Sequence, residues 1–232
     1  MSILLELRKL ESGNWGRQVS FDLQAGEFVL LLGRNSSGKT TLLNTIAGLL
    51  PVRSGQLLVG GQDVSHMNTV GRTQCGVRLA PQGRQIFSRL SVRRNLLLGA
   101  YGNGADHEVR RNLTWILGVF PDLREKLDAV ASSLSGGQQT MLNIGRALMG
   151  NPRLLLLDEP TLGLDPQNTK KLIDALQQVR RERQVGILVA EQSGPFVRVF
   201  PERVILMVGG EIVFDGPLAQ ATEERKLIEI FP

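Results

Sequence analysis

A single cysteine, Cys75, stands among 232 residues, so no disulfide can form within the chain, and a reducing compartment is the expected setting. Aromatic residues make up only 5%, too few for a surface that stacks nucleic-acid bases. No stretch approaches the ~20 apolar residues needed to cross a bilayer, so the chain is expected to be soluble by itself. The opening MSILLELRKLESG has too short an apolar stretch, and no small-residue cleavage site, to read as a secretory signal. Internal repeats and low-complexity segments are missing as well. The charge balance leans basic at +5, but the clusters Arg93-Arg94, Arg110-Arg111 and Arg180-Arg181 are short and carry no interleaved aromatics. Arginines scattered over the solvated faces of a nucleotide binder account for that balance more simply than an anionic membrane surface or a nucleic-acid partner.

What is present is enough apolar residue, 42%, for a sizeable core in one large domain or one domain with an insertion. Residues 3–32 hold short apolar segments with the turn signals ESGNWG and QAGE, which predicts a small antiparallel β region leading into the strand FVLLL at 28–32. TTLLNTIAGLL has helical periodicity and stops at Pro51. SGQLLVGGQDV reads as a hairpin-like pair of short strands, and CGVRLAPQ as a third strand ending at Gln82. From about 83 to 150 the pattern is amphipathic helix: VRRNLLLGAYG, HEVRRNLTWILGVF and SGGQQTMLNIGRALMG. Strand signals return at 153–160, 185–191 and 203–208, with the helix QNTKKLIDALQQVRRER between the first two. Strands alternating with helices predict an α/β fold with a mostly parallel sheet covered on both faces, and the helical stretch reads as an insertion into it.

Residues Gly33, Arg34, Asn35, Ser36, Ser37, Gly38, Lys39 and Thr40 match G-x-x-x-x-G-K-S/T in full, with an apolar strand before and a helix after. The glycines let successive N–H groups curl inward onto phosphate oxygens, Lys39 can reach the β- and γ-phosphates, and the Thr40 hydroxyl can ligate magnesium. The helix that follows adds its positive end. LLLLDEP places Asp158 and Glu159 at the end of a buried strand, where an α/β sheet presents its functional edge. Asp158 there can hold magnesium through water, and Glu159 can polarise a water for in-line attack on a γ-phosphate. LSGGQQ opens a helix at Ser135, so its hydroxyl and the amides of the glycines form a second anion site. One nucleotide does not need two such cradles from one chain, so this surface is expected to close over ATP held by a partner copy.

GRNSSGKT, LSGGQ and LLLLDEP, in this order and spacing, resemble the nucleotide-binding subunit of ATP-binding cassette transporters over essentially the whole chain. The resemblance implies a single P-loop ATPase domain, 1–232, with an N-terminal antiparallel β subdomain, a nucleotide-binding core of 1–82 and 151–232, and an inserted helical subdomain at 83–150. It implies ATP and Mg²⁺ as cofactors. Gln82 in APQG takes the place of the glutamine that touches magnesium and the attacking water, which makes the metal set Thr40, Gln82 and Asp158. Gly163 to Pro166 resemble a loop that communicates across the dimer, and Trp15 in NWG resembles an aromatic that stacks on adenine, with a core tryptophan as the alternative. The cofactor set then comprises Trp15, Gly33 to Thr41, Ser135, Gly136, Gly137 and Gln138, and the catalytic set Glu159, Gln82 and Gln192.

Gln192 is a departure, because most members have a histidine there and neither His66 nor His107 can fill the place. Glutamine donates a hydrogen bond but takes up no proton, which leaves Glu159 as the base. Together with GRQIFSRLSVRRNLLLGA and IGRALMGNPRLLLLDEPTLGL, that glutamine resembles the second ATPase subunit of importers for branched-chain amino acids, amides or urea. Where those commonly carry acidic residues this chain has Arg93-Arg94, which means either a different partner or a solvated helix face. The implied partners are integral membrane permease subunits and a second cassette ATPase, identical or sister, with no nucleic acid. The implied place is the cytoplasmic face of the inner membrane. The rivals are a non-transport cassette ATPase acting on ribosomes or DNA, and a regulatory ATP-binding module with little turnover.

Overall fold

Strands β1 (Ile3–Ser12), β2 (Gln18–Gln24), β4 (Val52–Val59) and β5 (Gln62–Asp63) form an antiparallel sheet in the order β2-β1-β4-β5. In this computed structural model, which describes residues 2–13, 16–101, 105–192, 196 and 202–223, a second sheet runs β10-β9-β3-β8-β7-β6. Its members are β3 (Phe28–Leu32), β6 (Val77–Ala80), β7 (Leu154–Asp158), β8 (Gly186–Glu191), β9 (Arg203–Val208) and β10 (Glu211–Gly216). All its pairings are parallel except β9 with β10.

Every residue of β3, β7 and β8 is buried, because both faces of these strands are covered, and that is why they read as unbroken apolar runs. Alternation still decides which core each side chain enters. Phe28, Leu30, Leu32, Leu155, Leu157, Ile187 and Val189 pack with the helices α3 (Val92–Gly99), α4 (Asp106–Val119), α6 (Gly136–Met149) and α7 (Pro166–Arg183). Val29, Leu31, Leu154, Leu156, Leu188 and Ala190 pack with α1 (Lys39–Ala47) and the inward residues of the antiparallel sheet. The register sets Leu32 beside Glu191, Asp158 beside Ala190 and Ala80 beside Leu157. The carboxyl ends of β3, β8, β7 and β6 therefore share one edge, where open α/β sheets bind ligands.

The helix ends follow local chemistry. Asp165 caps α7 by accepting from the Asn168 N–H at 2.9 Å, with Pro166 at the first helical position and Arg180, Arg181 and Arg183 in the last turn. Strand β6 stops at Ala80, two residues before the expected end at Gln82, because Pro81 cannot donate to the ladder. The helices α2 (Thr69–Gln74), α5 (Pro121–Arg124) and α8 (Leu218–Glu223), and strand β10, were not expected from sequence. Among the described residues no helix is long and apolar enough to cross a membrane.

Candidate active site

Leu32 hands the chain to Gly33, whose N–H donates to the Glu191 carbonyl at 3.3 Å. A side chain at Gly33 would collide with Ser37 Oγ and the Met207 carbonyl. Ser36 (φ 64°) and Gly38 (φ 104°) adopt left-handed conformations that turn the loop into α1 at Lys39. No side chain caps the first turn of α1, and it carries no acidic residue. Its amides and positive helix end stay available beside a cavity of about 460 Å³ lined by Asn35, Ser36, Gly38, Lys39, Thr40, Thr41, Gln82 and Glu159. Arg34 lies exposed at the loop surface, and Ser37 is buried with no partner for its hydroxyl among the described residues.

Lys39 is buried, and its Nζ donates to the carbonyls of Gly33 at 2.7 Å and Arg34 at 3.2 Å, with Glu159 Oε1 at 3.9 Å. Burial holds its ammonium pKa below the usual lysine value, opposed by the carboxylates of Glu159, Asp158 and Glu191.

Strand β7 delivers Asp158, and Glu159 then turns into the left-handed region (φ 45°) while its N–H donates to the Ala190 carbonyl at 2.9 Å. Gln82 Nε2 donates to Glu159 Oε2 at 2.7 Å and Gln192 Nε2 to Oε1 at 2.8 Å. The three residues expected to be catalytic thus come from three chain segments into one hydrogen-bonded unit. A carboxylate gripped by an amide donor on each oxygen is fixed in orientation and keeps lone pairs that can take a proton from water.

Asp158 is buried, and its Oδ1 has no hydrogen-bond partner among the described residues. Burial pushes its carboxyl above the usual aspartate range, against a hydrogen bond with the Thr40 hydroxyl. An orphaned carboxylate oxygen beside a hydroxyl is an all-oxygen donor set that fits a hard divalent cation such as Mg²⁺.

Ser135, Gly136, Gly137 and Gln138 do not line the phosphate-loop cavity. Ser135 caps α6, accepting from the Gln138 N–H at 3.4 Å while Gln138 Oε1 accepts from the Ser135 N–H at 3.1 Å. A Cβ on Gly136 would meet the Arg84 guanidinium, and one on Gly137 the Asn168 side chain. Trp15 lies outside the described residues.

Sequence reasoning missed how α6 holds the loop that carries Gln82. Asn143 Nδ2 donates to the Pro81 carbonyl at 3.2 Å, and Arg146 donates to the Gln85 carbonyl and to Asn143 Oδ1. The available signal was a polar pair three residues apart on a largely buried helix. It also missed that Arg93 is occupied by Asp128 in an exposed ion pair at 2.9 Å, which offsets its charge within the helical region itself.

A strand-borne phosphate loop, a carboxylate pair at the same sheet edge on β7, with β8 between, and a separate helix-capping serine-glycine motif define a nucleotide-hydrolysing cassette. The description of the ABC transporter family matches residues 17–162. The chain belongs to that family: it is an ABC-type ATPase coupled to transport. It is 36% identical over 195 residues to the high-affinity branched-chain amino acid transport ATP-binding protein BraG of Pseudomonas aeruginosa, covering 84% of this chain and 83% of that one. It is 32% identical over 227 residues, 96% of each chain, to the probable branched-chain amino acid transport ATP-binding protein LivF of Archaeoglobus fulgidus. The phosphonates import ATP-binding protein PhnC of Shouchella clausii is 33% identical over 231 residues, with 93% of this chain and 84% of that one covered. Among solved structures, the ADP conformation of the ATP-binding cassette MJ1267 superposes with a TM-score of 0.88 at 24% identity, covering 100% of this chain and 99% of that one.

Proposed function

We propose that the chain is the ATP-binding and hydrolysing subunit of an importer for a branched-chain amino acid, a short amide or a urea-like solute. The observation that carries the ATPase assignment is the Glu159 carboxylate, gripped by Gln82 and Gln192 and lining the same cavity as the phosphate loop. In this reading residues 33–41 bind the ATP phosphates, Lys39 shifts from its loop carbonyls to the β- and γ-phosphates, and Trp15 stacks on adenine. Glu159 accepts the proton of the attacking water, and the two glutamines orient both carboxylate and water. Thr40, Gln82 and Asp158 hold a Mg²⁺ ion that, when bound, neutralises charge developing on the phosphate oxygens.

Ser135 to Gln138 face the nucleotide of a second cassette, identical or sister, which accords with their not lining this chain's own phosphate-loop cavity. Residues 1–82 and 151–232 act as the nucleotide-binding core, and 83–150 as the helical subdomain that docks on membrane permease subunits at the cytoplasmic face. Exposed Phe87, Leu97, Leu98 and Tyr101 offer an apolar surface for that contact. The branched-chain relatives favour an amino-acid solute, and the phosphonate-import relative supplies a second reading, an anionic phosphonate.

Glu159→Gln tests the site. It keeps the shape of the side chain and removes the base, so turnover is expected to vanish while ATP binding persists and a long-lived ATP dimer accumulates on size exclusion. Wild-type turnover in that variant overturns the assignment of Glu159.

A further inference from the structure

Strand β8 ends on an acid that the reading above does not use. Glu191 is buried, and its Oε1 accepts from the Thr161 hydroxyl at 2.6 Å and from the Thr161 N–H at 3.2 Å. Burying a carboxylate is costly unless it is well bonded, and five of the six strand residues are apolar or glycine, so nothing in the sheet requires an acid here. Burial pushes its carboxyl up to about 7, with the Thr161 bonds pulling the other way and the Glu159 charge adding to the rise.

Its neighbours explain what the acid can do. The Glu191 carbonyl accepts from the Gly33 N–H, where the phosphate loop leaves β3. Ala190, one residue before, accepts the Glu159 N–H, and Gln192, one residue after, holds the Glu159 carboxylate. Between the Ala190 anchor and the Thr161 anchor lie only Glu159 and Pro160. Glu159 occupies the left-handed region (φ 45°), which a non-glycine residue keeps only where its surroundings over-determine it. Thr161 also accepts the Leu164 N–H at 3.0 Å through its carbonyl, so the same anchor sets the start of the Gly163–Pro166 loop.

We propose that Glu191 is a positioning residue for hydrolysis: by clamping Thr161 it holds the left-handed turn at Glu159, so that the catalytic carboxylate meets Gln82, Gln192 and the phosphate loop in one fixed arrangement. This rests on Glu159 being the base. Loss of the clamp leaves the phosphate loop intact but frees the turn, and a displacement of about 1 Å at a catalytic group costs up to ~10²-fold in rate.

The test is steady-state ATPase kinetics on the purified full chain with Thr161→Val, Thr161→Ser, Glu191→Ala and Glu159→Gln side by side. Thr161→Val removes the hydroxyl at nearly constant volume and leaves the main-chain N–H in place. We expect kcat to fall about tenfold in Thr161→Val and further in Glu191→Ala, with KM for ATP within about twofold of wild type. Thr161→Ser, which restores the hydroxyl, recovers most of the loss. Thr161→Val with unchanged kcat overturns the proposal, as does a rise in KM that matches the fall in kcat, since that marks a loss of nucleotide binding instead. If Glu191→Ala does not fold, the valine–serine pair at 161 decides alone. Surviving turnover in Glu159→Gln refutes the underlying site, whereas its loss together with a silent Thr161→Val refutes only the clamp.

Discussion

The carboxyl of Glu191 makes stability depend on pH with a sign opposite to that of an ion-paired surface acid. In the unfolded chain it titrates near the ordinary glutamate value of 4.5, and in the fold burial raises it to about 7. Between those values the native state keeps a proton that the unfolded state has released. Unfolding free energy therefore falls as pH rises from about 4.5 to about 7, and this contribution is flat on either side. At ~1.4 kcal/mol per pH unit the full change is about 3 kcal/mol. Glu159 and Lys39 are its charged neighbours.

Glu191→Gln keeps an acceptor oxygen for Thr161 and removes the titration. Other carboxyls shift as well, Asp158 upward and Asp63, Asp165 and Glu182 downward, so the quantity to follow is the difference between wild type and variant. Urea unfolding at half-unit steps from pH 4.5 to 8 measures it. We expect the wild type to lose about 3 kcal/mol relative to Glu191→Gln across that range, with the steepest change between pH 5 and 7. A difference that stays constant, or that moves in favour of wild type as pH rises, refutes the account of a carboxyl forced to share a buried strand end.

Arg72 is 1% exposed and bonds main-chain carbonyls: Thr45 and Ile46 at the end of α1, Ser65 at 3.0 Å and Met67 at 3.0 Å. Arg72→Leu leaves those acceptors unsatisfied and is expected to cost about 3–5 kcal/mol by denaturant unfolding, with Arg72→Lys intermediate. Gly33→Ala drives a methyl into Ser37 and the Met207 carbonyl; we expect a loss of about 1–3 kcal/mol in stability and at least tenfold weaker nucleotide binding by titration calorimetry. Gln192→Ala removes one of the two amide donors on Glu159 and is expected to lower kcat about tenfold at little change in KM, and Gln192→Glu to lower it further by setting a second carboxylate against the first.

Several elements were legible because the physics that makes them is local. β3, β7 and β8 are covered on both faces, so each is a continuous apolar run. The phosphate loop is one contiguous octapeptide, and the cap at Ser135 acts within three residues. The Gly209-Gly210 turn (φ 55° and 86°) before β10 also has a local signal, two glycines between apolar runs. Helix α2, TVGRTQ, had only the Asn68 cap as a local signal: β-branched residues and a glycine give it poor propensity, and Arg72 reaching under α1 holds it. Arg72 itself looks like a solvated arginine in a polar stretch, and only the packing of α2 against the end of α1 buries it.

By itself, then, the sequence determined an α/β chain with a phosphate-binding loop, an acidic strand end and a capped second anion motif, because each is encoded in neighbouring residues. The tertiary structure decided which side chains meet. Gln82 and Gln192 reach Glu159 from 77 and 33 residues away, and they do so because the sheet order β3-β8-β7-β6 places at one edge strand ends that the chain visits in a different order. The Glu191 clamp on Thr161, 30 residues away, has the same origin: in sequence the acid is simply the last residue of a strand, and strand pairing makes it the neighbour of the catalytic turn.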